Sequence, residues 1–114
     1  MFGQTEAFSG FSVNDIDAAR RFYGDTLGIK VTEENGMLHL HIAGGHPVLV
    51  YPKDDHQPAT FTILNFPVGD VDAAVAELAA RGIALEGEVQ REWGPPIAWF
   101  KDPAGNWLSV IQQG

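Results

Sequence analysis

Histidines and aromatic residues are the side chains of this chain most suited to chemistry. His39 and His41 are two positions apart in an alternating segment, so both point to one side of a predicted strand, and His46 follows closely. Imidazoles can bind zinc or nickel, or act as general acids and bases near neutral pH. Because no carboxylate is evidently placed beside them, the pattern favours histidines that line a pocket as polar contacts or face solvent. We expect His56, in a polar stretch, to lie in a solvated linker.

The tryptophans form the second candidate group. Strand alternation places Trp99 and Trp107 on faces that look into a common space, and Trp93 lies on a loop interrupted by two prolines. Aromatic walls suit flat or apolar ligands, although the same residues could equally be ordinary core or dimer-interface residues. Phe8, Tyr51 and Phe61 share the predicted face, Asn65 and Ser109 are the expected polar orienting groups, and Tyr23 is expected in the core.

An internal repeat determines how these residues are positioned. The segment from Val13 to Ala19 matches the segment from Val68 to Ala74 at five of seven positions, with an offset of 55, and Gly28 matches Gly82 with an offset of 54. Asp15 and Asp70 are predicted helix N-caps, followed by apolar stripes at helical spacing. Gly28 and Gly82 are expected to close these helices in the left-handed conformation.

Strands are predicted after each helix. In the first copy, Asn35-Gly36 joins two alternating segments as a tight hairpin, in which Leu38, Leu40 and Ile42 share the face opposite the histidines. The aliphatic faces are expected to carry the helices, and the mixed faces to look into a cup between curved sheets. The predicted strands are Val31–Glu34, Met37–Ile42 and Val48–Tyr51 in the first copy, and Ala84–Gln90, Ile97–Lys101 and Trp107–Gln112 in the second.

Composition and charge exclude several classes of function. The formal net charge of −8 and the scattered basic residues disfavour nucleic acid, and no apolar run is long enough for a membrane span. The acidity favours cationic ligands through long-range steering, or simply keeps the protein in solution. Since the chain has no cysteine, disulfides and thiol chemistry are excluded and we expect a cytoplasmic location.

Two motifs carry a family resemblance. Arg21-Phe22-Tyr23 followed by Leu27-Gly28, with the later run from Trp99 to Asn106, resembles the vicinal-oxygen-chelate superfamily of glyoxalases, bleomycin-resistance proteins and dioxygenases. The resemblance covers nearly the whole chain and implies an α+β fold of two tandem βαβββ units, residues 5–53 and 59–113, that form curved mixed sheets around a cup. It implies little about the reaction, because one fold hosts many activities.

The resemblance also implies where a metal would bind. Enzymes of this group hold a divalent metal on His, Glu or Gln side chains from four strands, and the corresponding positions here are Phe8, Leu49, Ile63 and Ser109. Only a serine hydroxyl is available there, so we expect no metal and no cofactor, as in the bleomycin-resistance branch.

The expected function is therefore metal-free binding of a small aromatic or cationic organic compound, such as an antibiotic or other natural product, by a homodimer without nucleic-acid or membrane partners. The alternatives are a lyase or isomerase that uses His39 or His41 or an atypical metal site, and a partner-binding module. No residue is assigned a catalytic role. The predicted ligand-binding residues are Phe8, His39, His41, Leu49, Tyr51, Phe61, Ile63, Asn65, Trp93, Trp99, Trp107 and Ser109.

Overall fold

The computed structural model describes residues 1–113 and divides into two compact units, one comprising Met1–Gln57 and the other beginning at Pro58. Each unit pairs one mixed β-sheet with one helical segment, which confirms the predicted α+β class. Within the described residues, no helix has the length and apolar character needed to span a bilayer.

The first unit has a four-stranded sheet. Along the chain its elements are β1 (Gly10–Val13), α1 (Ile16–Arg20), a π-helical segment (Arg21–Thr26), β2 (Lys30–Glu34), β3 (Met37–His41) and β4 (Val48–Pro52). The strand order is β1-β4-β3-β2, with β1 parallel to β4 and the other pairs antiparallel. Asn35 and Gly36 have φ angles of 56° and 77°, the left-handed values that the predicted two-residue hairpin turn requires.

One face of this sheet forms the core of the first unit. Leu38, Leu40 and Val50 are fully buried, and α1 packs over β3 and β4. Tyr23 is also fully buried, with its ring centroid 5.7 Å from that of Phe11. The structure confirms that the aliphatic face carries the helix and that Tyr23 is a core residue.

The second unit has a three-stranded sheet. Its elements are β5 (Thr62–Val68), α2 (Val71–Ala80), β6 (Ile97–Lys101) and β7 (Trp107–Gln112). The order is β5-β7-β6, with β5 parallel and β6 antiparallel to β7. Ala98, Phe100 and Leu108 are buried on the face that α2 covers, and the opposite face carries Trp99 and Trp107.

The prediction of a strand over Ala84–Gln90 is wrong. The backbone of this segment bonds to β6 at its two ends, where Glu86 N donates to Trp99 O (2.8 Å) and Gln90 pairs with Ile97. Between these points Gly87 adopts a φ of 90°, which interrupts the extended backbone. Residues 84–90 therefore do not form the fourth strand that the repeat predicted for the second unit.

Both helices begin and end where the repeat predicts. Asp15 accepts a hydrogen bond from the amide of Ala18 (3.1 Å), and Asp70 accepts two equivalent bonds from the first turn of α2. Gly28 and Gly82 have φ angles of 75° and 81° and follow the helical segments in the left-handed conformation.

The π-helical segment accounts for the change of offset between the two copies. The first copy has one residue more between its Asp N-cap and Gly28 than the second has between Asp70 and Gly82. A π-helical turn accommodates one additional residue within a helix. The extra residue is therefore taken up by Arg21–Thr26, and both helices still end in a glycine.

Candidate ligand-binding site

A buried aspartate holds the turn between the two strands that carry Trp99 and Trp107. Asp102 is only 5% exposed, and its Oδ1 accepts from the backbone amides of Ala104 (2.9 Å) and Asn106 (2.8 Å). Its Oδ2 accepts from Asn106 Nδ2 at 3.0 Å. These bonds fix the point at which β6 turns into β7, and with it the register of the two strands.

A β-bulge determines which residues of β5 reach the tryptophans. Thr62 pairs with Trp107 and Leu64 with Leu108, so Ile63 is an extra residue opposite a single step of β7. Simple alternation would place Thr62 on the same face as Leu64. The bulge reverses this, and Thr62 lies on the tryptophan face.

The result is an aromatic cleft, defined here by Thr60, Phe61, Thr62, Trp99 and Trp107, with a volume of about 270 Å³. Trp99 donates its indole N–H to Thr62 Oγ1 at 3.0 Å, which fixes the orientation of the ring. Both tryptophans are half-buried, whereas Phe61 is 69% exposed. Rigid, partly exposed rings can stack against a flat ligand at low cost in side-chain entropy.

Lys101 gives one side of the cleft a positive charge. Its Nζ lies 4.8 Å from the centroid of the Trp107 ring and 3.4 Å from Glu86 Oε1. The ammonium therefore contacts the π-face of Trp107 and is paired with a carboxylate. This arrangement favours a neutral flat ring over a cation at that face.

Asn65 and Ser109, the predicted polar orienting groups, contact each other. Ser109 is fully buried and donates its hydroxyl to Asn65 Oδ1 at 2.6 Å. Asn65 is exposed, and Ser109 is paired across the sheet with Trp99. Ser109 therefore supports the tryptophan face, and Asn65 is the member of the pair that solvent reaches.

The first unit has a separate pocket, which we call the histidine pocket. It has a volume of about 320 Å³ and is lined by Phe8, His39, His46, Pro47 and Leu49. His39 is paired with Leu49 across β3 and β4, and Phe8 precedes β1 and is 65% exposed. Three of the predicted residues, Phe8, His39 and Leu49, thus come together.

The other predicted residues lie elsewhere. His41 is exposed and hydrogen-bonds to Thr32 Oγ1 through Nε2 at 2.8 Å, and Tyr51 is paired with Ser12 on the histidine face of the first sheet. Trp93 is 90% exposed on its loop, outside the aromatic cleft. Ile63 is the bulge residue, so alternation does not define its direction.

His56 does not lie in a solvated linker, contrary to the prediction. Its Nδ1 is 2.7 Å from Ser12 Oγ, and the pair is partly buried. This hydrogen bond between Ser12 of β1 and His56 holds the end of the first unit against its sheet. In the same segment, Lys53 hydrogen-bonds to Asp55 and lowers the pKa of that carboxyl.

Several residues in or beside the two pockets were not predicted. Alternation counted along β5 selects Phe61, Ile63 and Asn65 and passes over Thr62, because a bulge leaves no signal in the residue pattern. Glu6, whose carboxylate is 3.6 Å from His46 Nε2, is also absent from the predicted set. Lys101 was detectable, since a short turn between β6 and β7 pairs it directly with Trp107.

The donors at the four positions that correspond to metal ligands do not fit a divalent metal. Phe8 and Leu49 are apolar walls of the histidine pocket, Ile63 is aliphatic, and the Ser109 hydroxyl is used by Asn65. Among residues 1–113, no three His, Asp or Glu side chains lie close enough together to hold a metal ion. Hard and borderline cations need several oxygen or nitrogen donors.

Solved structures with the same fold cover nearly the whole chain. A member of the glyoxalase/bleomycin resistance protein/dioxygenase superfamily from Sphaerobacter thermophilus DSM 20745 is 21% identical, with 96% of this chain and 98% of that chain covered and a TM-score of 0.76. TnmS3, an antibiotic-binding protein from Streptomyces sp. CB03234, is 25% identical, with 97% and 98% covered and a TM-score of 0.75. A glyoxalase/bleomycin resistance protein from the same Streptomyces strain is 26% identical, with 93% and 100% covered and a TM-score of 0.68.

A comparison with curated proteins finds no match. The sequence model of the Glyoxalase/Bleomycin resistance protein/Dioxygenase superfamily, however, matches residues 6–110. That match spans both repeats and agrees with the resemblance read from the Phe22-Tyr23 and Asp102-Pro103 motifs. The chain therefore belongs to the glyoxalase/bleomycin resistance protein/dioxygenase superfamily.

Proposed function

We propose that this protein is a metal-free binding protein for small aromatic organic compounds, antibiotics and other natural products among them. The observation that carries the proposal is the aromatic cleft, in which Trp99 and Trp107 present fixed, half-exposed rings beside Phe61. Its volume of about 270 Å³ is near the lower end of small-molecule sites and suits one flat ring system.

Two further observations support a binding role. The positions that correspond to metal ligands offer no donor set for a divalent ion. The metal-dependent reactions of the superfamily would therefore lack the ion that acts as their Lewis acid. One similar structure, TnmS3, is named as an antibiotic-binding protein. Flat natural products bind aromatic walls by stacking, which needs no metal.

Tryptophan fluorescence tests the proposal directly. The chain has three tryptophans, and Trp93→Phe removes the exposed one, so that quenching reports on Trp99 and Trp107 alone. Titration of this variant with bleomycin and a panel of polycyclic aromatic natural products should give saturable quenching. Trp99→Ala and Trp107→Ala should each weaken binding by about 3- to 10-fold, the loss of one stacked ring.

The matched control is Trp93→Ala, which removes an indole of the same size outside the cleft and should leave affinity unchanged. The cleft is ruled out as the binding site if both cleft variants bind as tightly as the parent chain, or if no aromatic compound binds.

Elemental analysis of protein purified without chelators tests the metal-free part of the proposal. About one equivalent of a transition metal per chain would overturn it.

A further inference from the structure

The histidine pocket of the first unit combines apolar walls with two basic side chains. Phe8, Pro47 and Leu49 supply the apolar surface. His39 enters from the centre of β3, and His46 enters from the loop before β4. Two imidazoles that line one apolar pocket are suited to hold an acidic group attached to an apolar body.

A carboxylate of the chain itself already lies beside one of these imidazoles. Glu6 Oε2 is 3.6 Å from His46 Nε2, and the Glu6 side chain is 81% exposed. An exposed pair of this kind contributes little to stability, so an incoming anion can displace Glu6 at small cost. The contact indicates the position that an anionic group would take.

From this geometry we propose that the histidine pocket binds aromatic anions. The rings pack against Phe8, Pro47 and Leu49, and a sulfonate or carboxylate takes the place of Glu6 beside His46, in the pocket that His39 also lines. This inference goes beyond the proposed function and does not depend on it, because the aromatic cleft belongs to the second unit.

The surrounding charges make this binding dependent on pH. Strand register places Lys30 and Glu34 of β2, His41 of β3 and Tyr51 of β4 on the same face as His39, and Glu6 faces His46. Lys30 and Glu34 carry opposite charges, Glu6 adds a negative one, and His56, which bonds to Ser12 on this face, adds a further imidazole. An imidazole is positively charged only when it is protonated, so anion affinity should be greatest at low pH and lost as the pH rises.

The net charge of −8 does not exclude an anion at this site. Charges farther away than a Debye length, about 8 Å at physiological ionic strength, are largely screened, whereas the two imidazoles line the pocket itself.

Two fluorescent probes that differ in a single group provide the test. 1-Anilinonaphthalene-8-sulfonate carries a permanent negative charge, and N-phenyl-1-naphthylamine has the same rings without the sulfonate. Because both probes have the same rings, the contribution of ring packing and any effect of pH on the fold as a whole cancel in the ratio of their affinities. From pH 8 to pH 5.5 this ratio should rise by about 5- to 10-fold in favour of the sulfonate.

Three variants assign the effect to the pocket. His46→Gln and His39→Gln should each remove a large part of the rise. Glu6→Gln should raise the ratio at pH 7 by about threefold, because it removes the competing carboxylate. Glu92→Gln, which deletes the same charge from an exposed loop of the second unit, is the matched control and should leave the ratio unchanged.

The inference is overturned if the ratio does not change with pH, if Glu6→Gln and Glu92→Gln give the same ratio, or if neither probe binds. Its outcome is separable from that of the proposed function. The probe ratio reports only on the charge of the ligand, whereas quenching in the Trp93→Phe chain reports on the aromatic cleft.

Discussion

Replacement of Asp102 by alanine should destabilise the chain more than any change at an exposed acidic residue. The carboxylate is 5% exposed and accepts hydrogen bonds from two backbone amides and from the Asn106 side chain. Hydrogen bonds to a charged acceptor contribute about 1.5 kcal/mol or more each, and partial replacement by water reduces the total to about 3 kcal/mol. For a chain of this length, that loss lowers Tm by about 12 °C.

Thermal and urea unfolding, followed by circular dichroism, measure the effect. Asp54→Ala makes the same chemical change at an exposed position and should stay within about 0.5 kcal/mol of the parent. Asp102→Asn keeps one acceptor oxygen and should fall between the two. A loss smaller than about 1 kcal/mol for Asp102→Ala would refute the reasoning, since the turn would then hold without its carboxylate.

The remaining predictions concern the core and the assembly. Tyr23→Ala should lower the free energy of unfolding by about 4 kcal/mol in urea titrations, because it empties the space beside Phe11 and Phe22, whereas Tyr23→Phe keeps the ring and should cost much less. We also expect a homodimer, with a mass twice 12.4 kDa by sedimentation equilibrium; a 12.4-kDa particle at micromolar concentration would contradict this. The large apolar side chains that a dimer could cover are Met1, Phe2, Phe8, Phe61 and Trp93.

Features encoded by single residues or by a clear period could be predicted from the sequence. The Asp N-caps and the closing glycines depend on local backbone chemistry, and the structure places them where the repeat does. Alternation over Met37–His41 is unbroken, so the assignment of Leu38 and Leu40 to the core is confirmed. The α+β fold class follows from these elements.

Features that depend on a break in regularity could not be predicted. The bulge at Ile63 brings Thr62 to the tryptophan face, and the residue pattern of β5 carries no sign of it. The positive φ of Gly87 ends the extended backbone in a segment whose composition is compatible with a strand. Long-range pairs such as Glu6 with His46 depend on how the N-terminal segment packs against the loop before β4, which local patterns do not determine.

The extra residue within Arg21–Thr26 has a consequence for how the two halves of this chain can diverge. Because a wider helical turn absorbs the insertion, the residues on either side keep their orientation, and Tyr23 still reaches its partners. Deleting one residue there should restore ordinary helical winding and leave the downstream orientation unchanged, whereas one residue lost from a regular helix would rotate everything downstream by about 100°. The two copies of a duplicated segment can thus differ in length within a packed helix, while each keeps the glycine turn that follows it.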